Sequence, residues 1–408
     1  MHSRTTHVIS DVFDPNMGSE FLVPFVALNS LCSIPGMKIN LWTVARGNNQ
    51  ASIEKWLVEN RLNGSINVRL IPMRRATPQG HHRYRLYFIM DLIEMYDLVF
   101  REVQHGDVVW KCGQVNFIFN LIFLLKHRCD VLGPVSGLEH PSSYRVPFAS
   151  LSFKTYYLLY GLVIVIARSL FKSLVARKGV KVILGATSAD CRALSNTFMN
   201  VTHHMEVTAS AVERGLQQNT NTTQDENPPQ FDIIWAGAMI SRKNPILALN
   251  ILIQCAKTSS KLRFLMLGDG PLYGRVRALH ARLPRELSDR IKIASILPRP
   301  VFLKQLSQCR VMLVTALREV NSVQVLEALL CDVCVVSSDV SGMRDTVAQS
   351  GYLYDVSSPY AVERAAALLE LALQDGPKRS PSMALMEMWQ RQYFLVHSLV
   401  SERLKFEF

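Results

Sequence analysis

The chain has 408 residues, of which 49% are hydrophobic and 19% charged, with 20 glycines and 18 prolines. These proportions exclude collagen-like, coiled-coil and disordered chains, and the length suits two or three globular domains. The formal net charge is +12. The excess is uneven, because residues 1–207 carry 22 basic against 14 acidic groups, whereas residues 208–408 carry 23 against 19.

Short apolar runs rich in β-branched residues alternate with stretches of helical apolar spacing in the first half. The predicted strands are 7–10, 40–44, 68–71, 107–110, 130–132 and 181–185. Helices are predicted over 51–59, 115–126 and 187–194, the last capped by Thr187 or Ser188. Strands that alternate with helices indicate a parallel sheet covered on both faces.

The stretch 217–230 is polar and contains prolines, which is typical of a linker or of a long surface loop. After it the alternation begins again. The predicted strands are 231–236, 263–267, 291–293, 311–314 and 333–337, and the predicted helices are 245–256, 272–281, 301–308 and 323–330. The simplest account is two doubly wound α/β domains, residues 1–207 and 231–382, joined by residues 208–230. A closing helix is predicted over 383–408, with Trp389 against an apolar surface.

Three features bear on the cellular setting. The opening residues lack the pattern of a secretory leader, and the longest uncharged apolar run, 156–167, has 12 residues, whereas a bilayer span needs about 20. The cysteines are scattered, and the close pair Cys331 and Cys334 lacks the second pair that completes a zinc site, so reduced core thiols are expected. Eight basic residues and one acid lie between Arg145 and Arg192, which indicates a face toward an anionic surface or a solvated helix face.

The loops after the strands of the second half carry the candidate chemistry, because ligands of parallel α/β sheets bind at the carboxyl ends of the strands. Arg242 and Lys243 follow strand 231–236 and open a helix, a combination that suits an anion, although it is also compatible with an exposed basic pair. Gly268 begins the sequence Gly-Asp-Gly-Pro after strand 263–267, where glycines permit a tight turn and a close backbone approach.

Two acids eight positions apart form the most informative segment. Glu319 lies just before the predicted helix 323–330 and Glu327 lies about one turn inside it. A carboxylate among buried strands is costly unless it is hydrogen-bonded, and sugar hydroxyls are suitable donors. Ser322 and the free N–H groups at the start of the helix can receive a phosphate. The alternative is a pair of exposed acids at the end of a helix.

Two loops of the first half are further candidates. Gly18, Ser19 and Glu20 follow the opening strand, but the segment is not Gly-x-Gly-x-x-Gly, so a dinucleotide fingerprint is absent. Glu139 and His140 lie in a glycine-bearing loop after strand 130–132. A lone histidine is as readily structural as catalytic.

The order of these motifs resembles the GT-B glycosyltransferases of family 4, which are retaining enzymes that use sugar nucleotides. The resemblance covers most of the chain through the segments DPNMGSE, LGPVSGLEHP, KVILGATSADCRAL, WAGAMISRKNP, FLMLGDGPL, SILPR, the Glu-x₇-Glu segment and VVSSDVSGMRDTV. It implies an α/β GT-B fold, two Rossmann-like domains facing a central cleft. The first would be the acceptor side, onto which the closing helix packs back, and the second would bind the donor nucleotide.

The resemblance also implies roles for single residues. Lys243 would contact the donor diphosphate, and Arg242 would replace an arginine that the family commonly has where this chain has Ala238. Glu327 would bind the ribose, and Glu319 would lie beside the transferred sugar. The remaining assignments are the base pocket for Ile296 and Leu297, the diphosphate or acceptor for Gly18, Ser19 and Glu20, and the reacting sugar for Glu139 and His140.

The expected function is therefore metal-independent, retaining hexosyl transfer from a UDP or GDP sugar, with no cofactor. The expected acceptor is a lipid-linked or membrane-proximal glycan in exopolysaccharide, capsule or lipopolysaccharide assembly, at the cytoplasmic face of an anionic inner membrane and without nucleic acid. Val320, Ser322, Ser295 and Asp332 replace glycines that are usual in the family. These departures leave open a binding or partner subunit without transfer, and an inverting transferase or sugar-nucleotide epimerase also remains possible.

Overall fold

The computed structural model describes residues 5–11, 28, 31–32, 37–45, 49–59, 62, 66–72, 84–112, 117–135, 165–195, 201–202, 230–320, 322–388, 390 and 398. These residues form two compact units. The first contains the described residues up to 202, together with 390 and 398, and the second contains residues 230–388. Each unit is built on its own parallel β-sheet.

The described part of the first unit has a seven-stranded sheet in the order β3-β2-β1-β4-β5-β6-β7. Its strands are β1 (Thr5–Ser10), β2 (Lys38–Ala45), β3 (Ile66–Pro72), β4 (Val108–Cys112), β5 (Val131–Val135), β6 (Val182–Gly185) and β7 (Val201–Thr202). Its helices are α1 (Asn49–Glu59), α2 (Tyr84–Glu102), α3 (Phe117–Lys126) and α4 (Ser188–Ser195), and residues 165–177 are also helical. Thr187 caps α4, because its hydroxyl accepts a hydrogen bond from the backbone of Asp190.

The second unit has a six-stranded sheet in the order β10-β9-β8-β11-β12-β13. Its strands are β8 (Ile233–Ala236), β9 (Phe264–Leu267), β10 (Ile291–Ala294), β11 (Val311–Val314), β12 (Cys334–Ser338) and β13 (Tyr352–Tyr354). Its helices are α5 (Pro245–Thr258), α6 (Tyr273–His280), α7 (Arg285–Ser288), α8 (Arg299–Gln308), α9 (Val323–Leu330), α10 (Ser341–Val347) and α11 (Ala361–Asp375).

Successive side chains of the second sheet enter two different cores. Ile233 and Trp235 of β8 pack with α5 and α11 on one face, whereas Ile234 packs with α8 and α9 on the other. Burial on both faces explains why these strands are continuous apolar runs rather than alternating ones. Leu385, in the helical residues 381–388, belongs to the core of α8 and α9.

The predicted fold class, α/β with two doubly wound parallel sheets, is confirmed. Each predicted strand overlaps an observed one, and α9 occupies the predicted range. The predictions missed α2, the helical residues 165–177, β7, α7 and the elements α10, β13 and α11.

Each sheet has a point at which the order of its strands reverses. In the first sheet β1 lies between β2 and β4, and in the second sheet β8 lies between β9 and β11. The connections leave such a pair of strands toward opposite faces of the sheet, so the loops diverge and leave room for a ligand.

Candidate functional site

The loops that follow β8, β9 and β10 meet at the carboxyl edge of the second sheet. The Gly237 N–H donates to the Leu267 carbonyl at 3.0 Å, and the Gly268 N–H donates to the Ala294 carbonyl at 3.1 Å. A Cβ atom on Gly268 would lie 1.9 Å from the Gly237 carbonyl oxygen. The absence of a side chain at Gly268 therefore lets this loop, which is predicted to bind the donor, pack closely against the loop after β8.

The loops after β8 and β11 converge on one carboxylate. Lys243 Nζ donates a hydrogen bond to Glu319 Oε2. Arg242 Nη1 lies 3.4 Å from both carboxylate oxygens of Glu319 and 3.2 Å from the Arg318 carbonyl. The backbone closes the junction, since the Leu317 N–H donates to the Arg242 carbonyl at 2.8 Å. The structure thus brings together three of the predicted site residues, Arg242, Lys243 and Glu319, at the switch point of the second sheet.

The cluster is only partly withdrawn from solvent. The side chains of Glu319, Lys243 and Arg242 are 8%, 14% and 38% exposed. Burial acts to raise the pKa of the Glu319 carboxyl, but the positive charges of Lys243 and Arg242 and their hydrogen bonds hold that pKa below its usual value. Glu319 is therefore ionised at neutral pH. Two cations against one anion leave a net positive charge that faces water through Arg242.

The Glu319 loop is fixed from its other side by α10. The Gly342 N–H donates to the Glu319 carbonyl at 3.2 Å, and a Cβ atom on Gly342 would lie 1.5 Å from the Val320 carbonyl oxygen. A side chain at position 342 would displace the loop that carries Glu319. Gly342 lies in the motif segment VVSSDVSGMRDTV, but nothing in the sequence shows which loop packs against this turn.

Glu327 and Ser322 are buried in the second unit, as is Glu319. The alternative of two exposed acids is therefore wrong for Glu319 and Glu327. Glu327 lies inside α9, as predicted. Ser322 is the residue at the start of α9; its hydroxyl donates to Gln324 Oε1 at 3.3 Å and makes no capping hydrogen bond to the helix backbone.

The predicted base-pocket residues follow β10. Ile296 is one of the most exposed large apolar side chains among the described residues, whereas Leu297 packs partly against the core of α8 and α9. Next to them, the Ser295 hydroxyl lies 3.5 Å from Asp269 Oδ2, which links this loop to the loop after β9.

The backbone at Asp332 has a φ of 55°, in the left-handed region that glycine adopts most readily. Its carboxylate accepts hydrogen bonds from the hydroxyls of Ser380 and Ser382, each at 2.9 Å. Asp332 thus adopts a conformation that favours glycine, and its carboxylate anchors the segment that opens the helical residues 381–388.

Several predicted site residues lie outside the described residues, so their roles stay predictions. They are Gly18, Ser19, Glu20, Glu139 and His140, and Trp389 of the predicted closing helix is in the same position.

The described residues also bear on metal ligands and on the two neighbouring thiols. It contains no group of three or more His, Cys, Asp or Glu side chains arranged to hold a metal ion. Cys331 and Cys334 lie at the turn from α9 to β12, and burial raises the pKa of both thiols to about 11. Neither thiol is therefore a reactive thiolate at neutral pH.

Residues 230–373 match the family model named Glycosyl transferases group 1. The match covers the second unit from β8 to α11, including Arg242, Lys243 and both acids. No curated protein matches the sequence.

Solved structures match the whole chain in fold. HepE of Anabaena, in complex with UDP and glucose, has 14% identity and a TM-score of 0.58, covering 98% of this chain and 99% of that one. Sucrose-phosphate synthase from Thermosynechococcus elongatus has 14% identity and a TM-score of 0.63, covering 98% of each chain. The lipopolysaccharide outer core galactosyltransferase WaaB has 14% identity and a TM-score of 0.59, covering 98% of this chain and 99% of that one. The chain therefore has the GT-B fold, as predicted, and its second unit matches the group 1 family model over residues 230–373.

Proposed function

We propose that the protein is a glycosyltransferase that moves a hexosyl unit from a nucleoside-diphosphate sugar, of UDP or GDP type, with retention of the anomeric configuration. The observation that carries the proposal is the meeting of Arg242, Lys243 and Glu319 at the switch point of the second sheet, inside the group 1 domain. The complexes of HepE with UDP and with UDP-glucose support a nucleotide sugar as the donor class.

The cation cluster suits the leaving group of this reaction. Departure of a nucleoside diphosphate leaves negative charge on its phosphate oxygens, and fixed cations in a partly desolvated site stabilise that charge. Lys243 is held in place and Arg242 reaches solvent, so the pair offers one anchored and one accessible cation. Since these protein groups supply the positive charge, the proposed reaction needs no metal.

Glu319 has two roles in the proposed mechanism. Without a donor it neutralises part of the charge of Lys243 and Arg242 and keeps both side chains aimed at the same place. When the diphosphate binds to these cations, the carboxylate lies beside the sugar, where it orients the ring and stabilises positive charge that develops at the anomeric carbon.

The proposed acceptor is a lipid-linked or membrane-proximal glycan, in exopolysaccharide, capsule or lipopolysaccharide assembly at the cytoplasmic face of the inner membrane. WaaB, a lipopolysaccharide outer core galactosyltransferase of similar fold, supports this setting. The helical residues 165–177 of the first unit add a physical argument, because they expose Val165, Ile166 and Leu170 and carry Arg168 and Arg177. Exposed apolar side chains beside basic ones suit an anionic lipid surface. No helix in the described part of the chain is both long and apolar enough to cross a bilayer.

Thermal unfolding with a set of sugar nucleotides tests the donor site. A ligand at 100 times its dissociation constant stabilises a protein by about 2.7 kcal/mol, so the cognate nucleotide raises the melting temperature measurably. Lys243→Ala should abolish most of this rise. Lys257→Ala removes an exposed lysine from the other end of α5 and should leave the rise unchanged. Absence of stabilisation by UDP, GDP, ADP and dTDP and by their sugars would refute the proposal.

The product separates this function from its alternatives. Transfer with retention, followed by NMR of the anomeric proton, supports the proposal. An inverted product or an epimerised sugar nucleotide without acceptor identifies another GT-B enzyme, and nucleotide binding without turnover identifies a binding or partner subunit.

A further inference from the structure

We propose that Thr315 is a positioning residue, whose hydroxyl locks the turn that aims Lys243 at Glu319 and at the incoming diphosphate. The inference rests on the proposed function, and it adds a residue that none of the motifs of the chain includes. It is drawn from three buried groups behind the cation cluster, Trp235 in β8, Thr315 directly after β11, and Asn244 directly after Lys243.

The backbone at Asn244 has an unusual conformation. Its φ is 50° and its ψ is 58°, which is left-handed, and it directly precedes α5. A residue other than glycine takes this conformation at a cost in free energy, although asparagine tolerates it better than most. Because Asn244 follows Lys243, the conformation of this turn decides where the side chain of Lys243 leaves the backbone.

The Thr315 hydroxyl holds this turn. Its Oγ1 donates to the Lys243 carbonyl at 2.8 Å and is 3.1 Å from the Asn244 carbonyl, so one proton is shared between two consecutive carbonyls. Trp235 Nε1 donates to the same Oγ1 at 3.0 Å. Since the indole occupies a lone pair of Oγ1, the hydroxyl proton is directed to the turn.

The same contacts set the path of the lysine side chain. A Cβ atom on Gly237 would lie 3.9 Å from Lys243 Cδ and 3.8 Å from the Trp235 ring, so the lysine stem and the indole both pass close to Gly237. Thr315 and Trp235 thus hold the backbone turn from which the Lys243 side chain leaves. Without the hydroxyl, the Lys243 carbonyl and the Trp235 indole N–H lose this partner, while the Asn244 carbonyl keeps the Ala248 N–H, so the turn must move to recover hydrogen bonds.

Three variants test the inference. Thr315→Val keeps the shape of the side chain and removes the hydroxyl, whereas Thr315→Ser keeps the hydroxyl. Ser337→Ala is the matched control, because Ser337 is buried in the neighbouring strand β12 and its hydroxyl bonds only the Ser338 carbonyl among the described residues. The first measurement is the affinity for UDP and GDP by calorimetry. Loss of a buried hydrogen bond that positions a charged group predicts a roughly tenfold weaker affinity for Thr315→Val and near-normal affinity for the other two.

The second measurement needs no nucleotide. Acylation of lysine amines, followed by mass spectrometry, reports how tightly Lys243 is held, with the exposed Lys257 as an internal standard. Lys243 should react several times faster in Thr315→Val than in the wild type, Thr315→Ser or Ser337→Ala. Unchanged labelling and an unchanged nucleotide affinity in Thr315→Val would overturn the inference. Failure of the wild type to bind any nucleotide would refute the proposed function, and the labelling would still decide whether Thr315 positions Lys243.

Discussion

Lys111 Nζ donates a hydrogen bond to Asp11 Oδ1 at 2.7 Å at the switch point of the first sheet, the place that Lys243 and Glu319 occupy in the second. The Tyr96 hydroxyl donates to the same oxygen at 2.5 Å. Both charged side chains of the first pair are fully buried, whereas the cations of the second reach solvent. The Lys111–Asp11 pair therefore leaves no charge exposed at the first switch point, whereas Lys243 and Arg242 leave positive charge available to an anion at the second.

Removal of Lys111 should be strongly destabilising. Lys111→Met leaves the buried Asp11 carboxylate with Tyr96 as its only side-chain donor among the described residues, and loss of one partner of a buried ion pair typically costs about 3–5 kcal/mol of unfolding free energy. Urea unfolding measures the loss. The double variant Lys111→Met with Asp11→Asn should lose less than the two single variants added together.

The exposed pair between Lys181 and Asp130 is the control for that experiment. Its atoms lie 2.9 Å apart, but the lysine side chain is half exposed, so Lys181→Met should cost less than about 1 kcal/mol. An equal loss of unfolding free energy in Lys111→Met and Lys181→Met would show that the buried pair contributes no more to stability than the exposed one.

The lowered pKa of Glu319 makes stability depend on pH. A carboxyl whose pKa is lower in the folded than in the unfolded protein contributes stability above its unfolded pKa of about 4.3, and that contribution is lost as the pH falls through the folded pKa. Glu319→Gln should therefore be less stable than the wild type by about 1–3 kcal/mol at pH 7. Urea unfolding at pH 7, 5, 4 and 3 should show the difference shrink below pH 4, and a difference independent of pH would contradict the assignment.

Gly342 should be essential for the shape of the site. Gly342→Ala places a Cβ atom where the Val320 carbonyl oxygen lies, so the Glu319 loop must shift relative to Lys243. We expect sugar transfer to fall by a factor of ten or more, because small displacements of catalytic groups are costly. Gly274→Ala is the matched control. Nothing lies within 4 Å of its new Cβ atom, and it is in α6, where alanine is favoured over glycine by about 1 kcal/mol, so activity should persist and stability should not fall.

The strands and the loop chemistry could be predicted from the sequence because both are local. Buried parallel strands are apolar runs, and Arg242, Lys243 and Glu319 stand directly after such runs. The long helix α2 was missed because its apolar residues surround it, so that Met90 and Ile93 are exposed and the helical periodicity is weak. In α11 the buried positions are largely alanine, such as Ala365 and Ala372, which give a poor apolar signal.

The contacts between loops could not be predicted, because they depend on the order of the strands in the sheet. Thr315 and Gly342 are ordinary residues in the sequence. They become important only because β8 pairs with β11 and β11 with β12, which places Thr315 under Lys243 and Gly342 against Val320. The contact between the Lys243 turn and Glu319 is therefore a property of the fold and not of either segment alone.

The exposed apolar face of residues 165–177 should bind anionic lipid. Ile166 is 67% exposed, and Arg177, eleven residues further along the helix, lies on the same helix face, so insertion of the isoleucine and attraction to lipid phosphates act together. In flotation assays the wild type should rise with vesicles of phosphatidylglycerol and phosphatidylcholine at low salt, and Ile166→Ser should reduce the floated fraction several-fold. Val58→Ser is the control, because Val58 is 58% exposed but lies on α1. The attraction of Arg177 to lipid phosphates predicts weaker flotation at high salt and with phosphatidylcholine alone.

Flotation that is absent under all conditions, or equally reduced by both variants, would rule out this face as the lipid-binding surface.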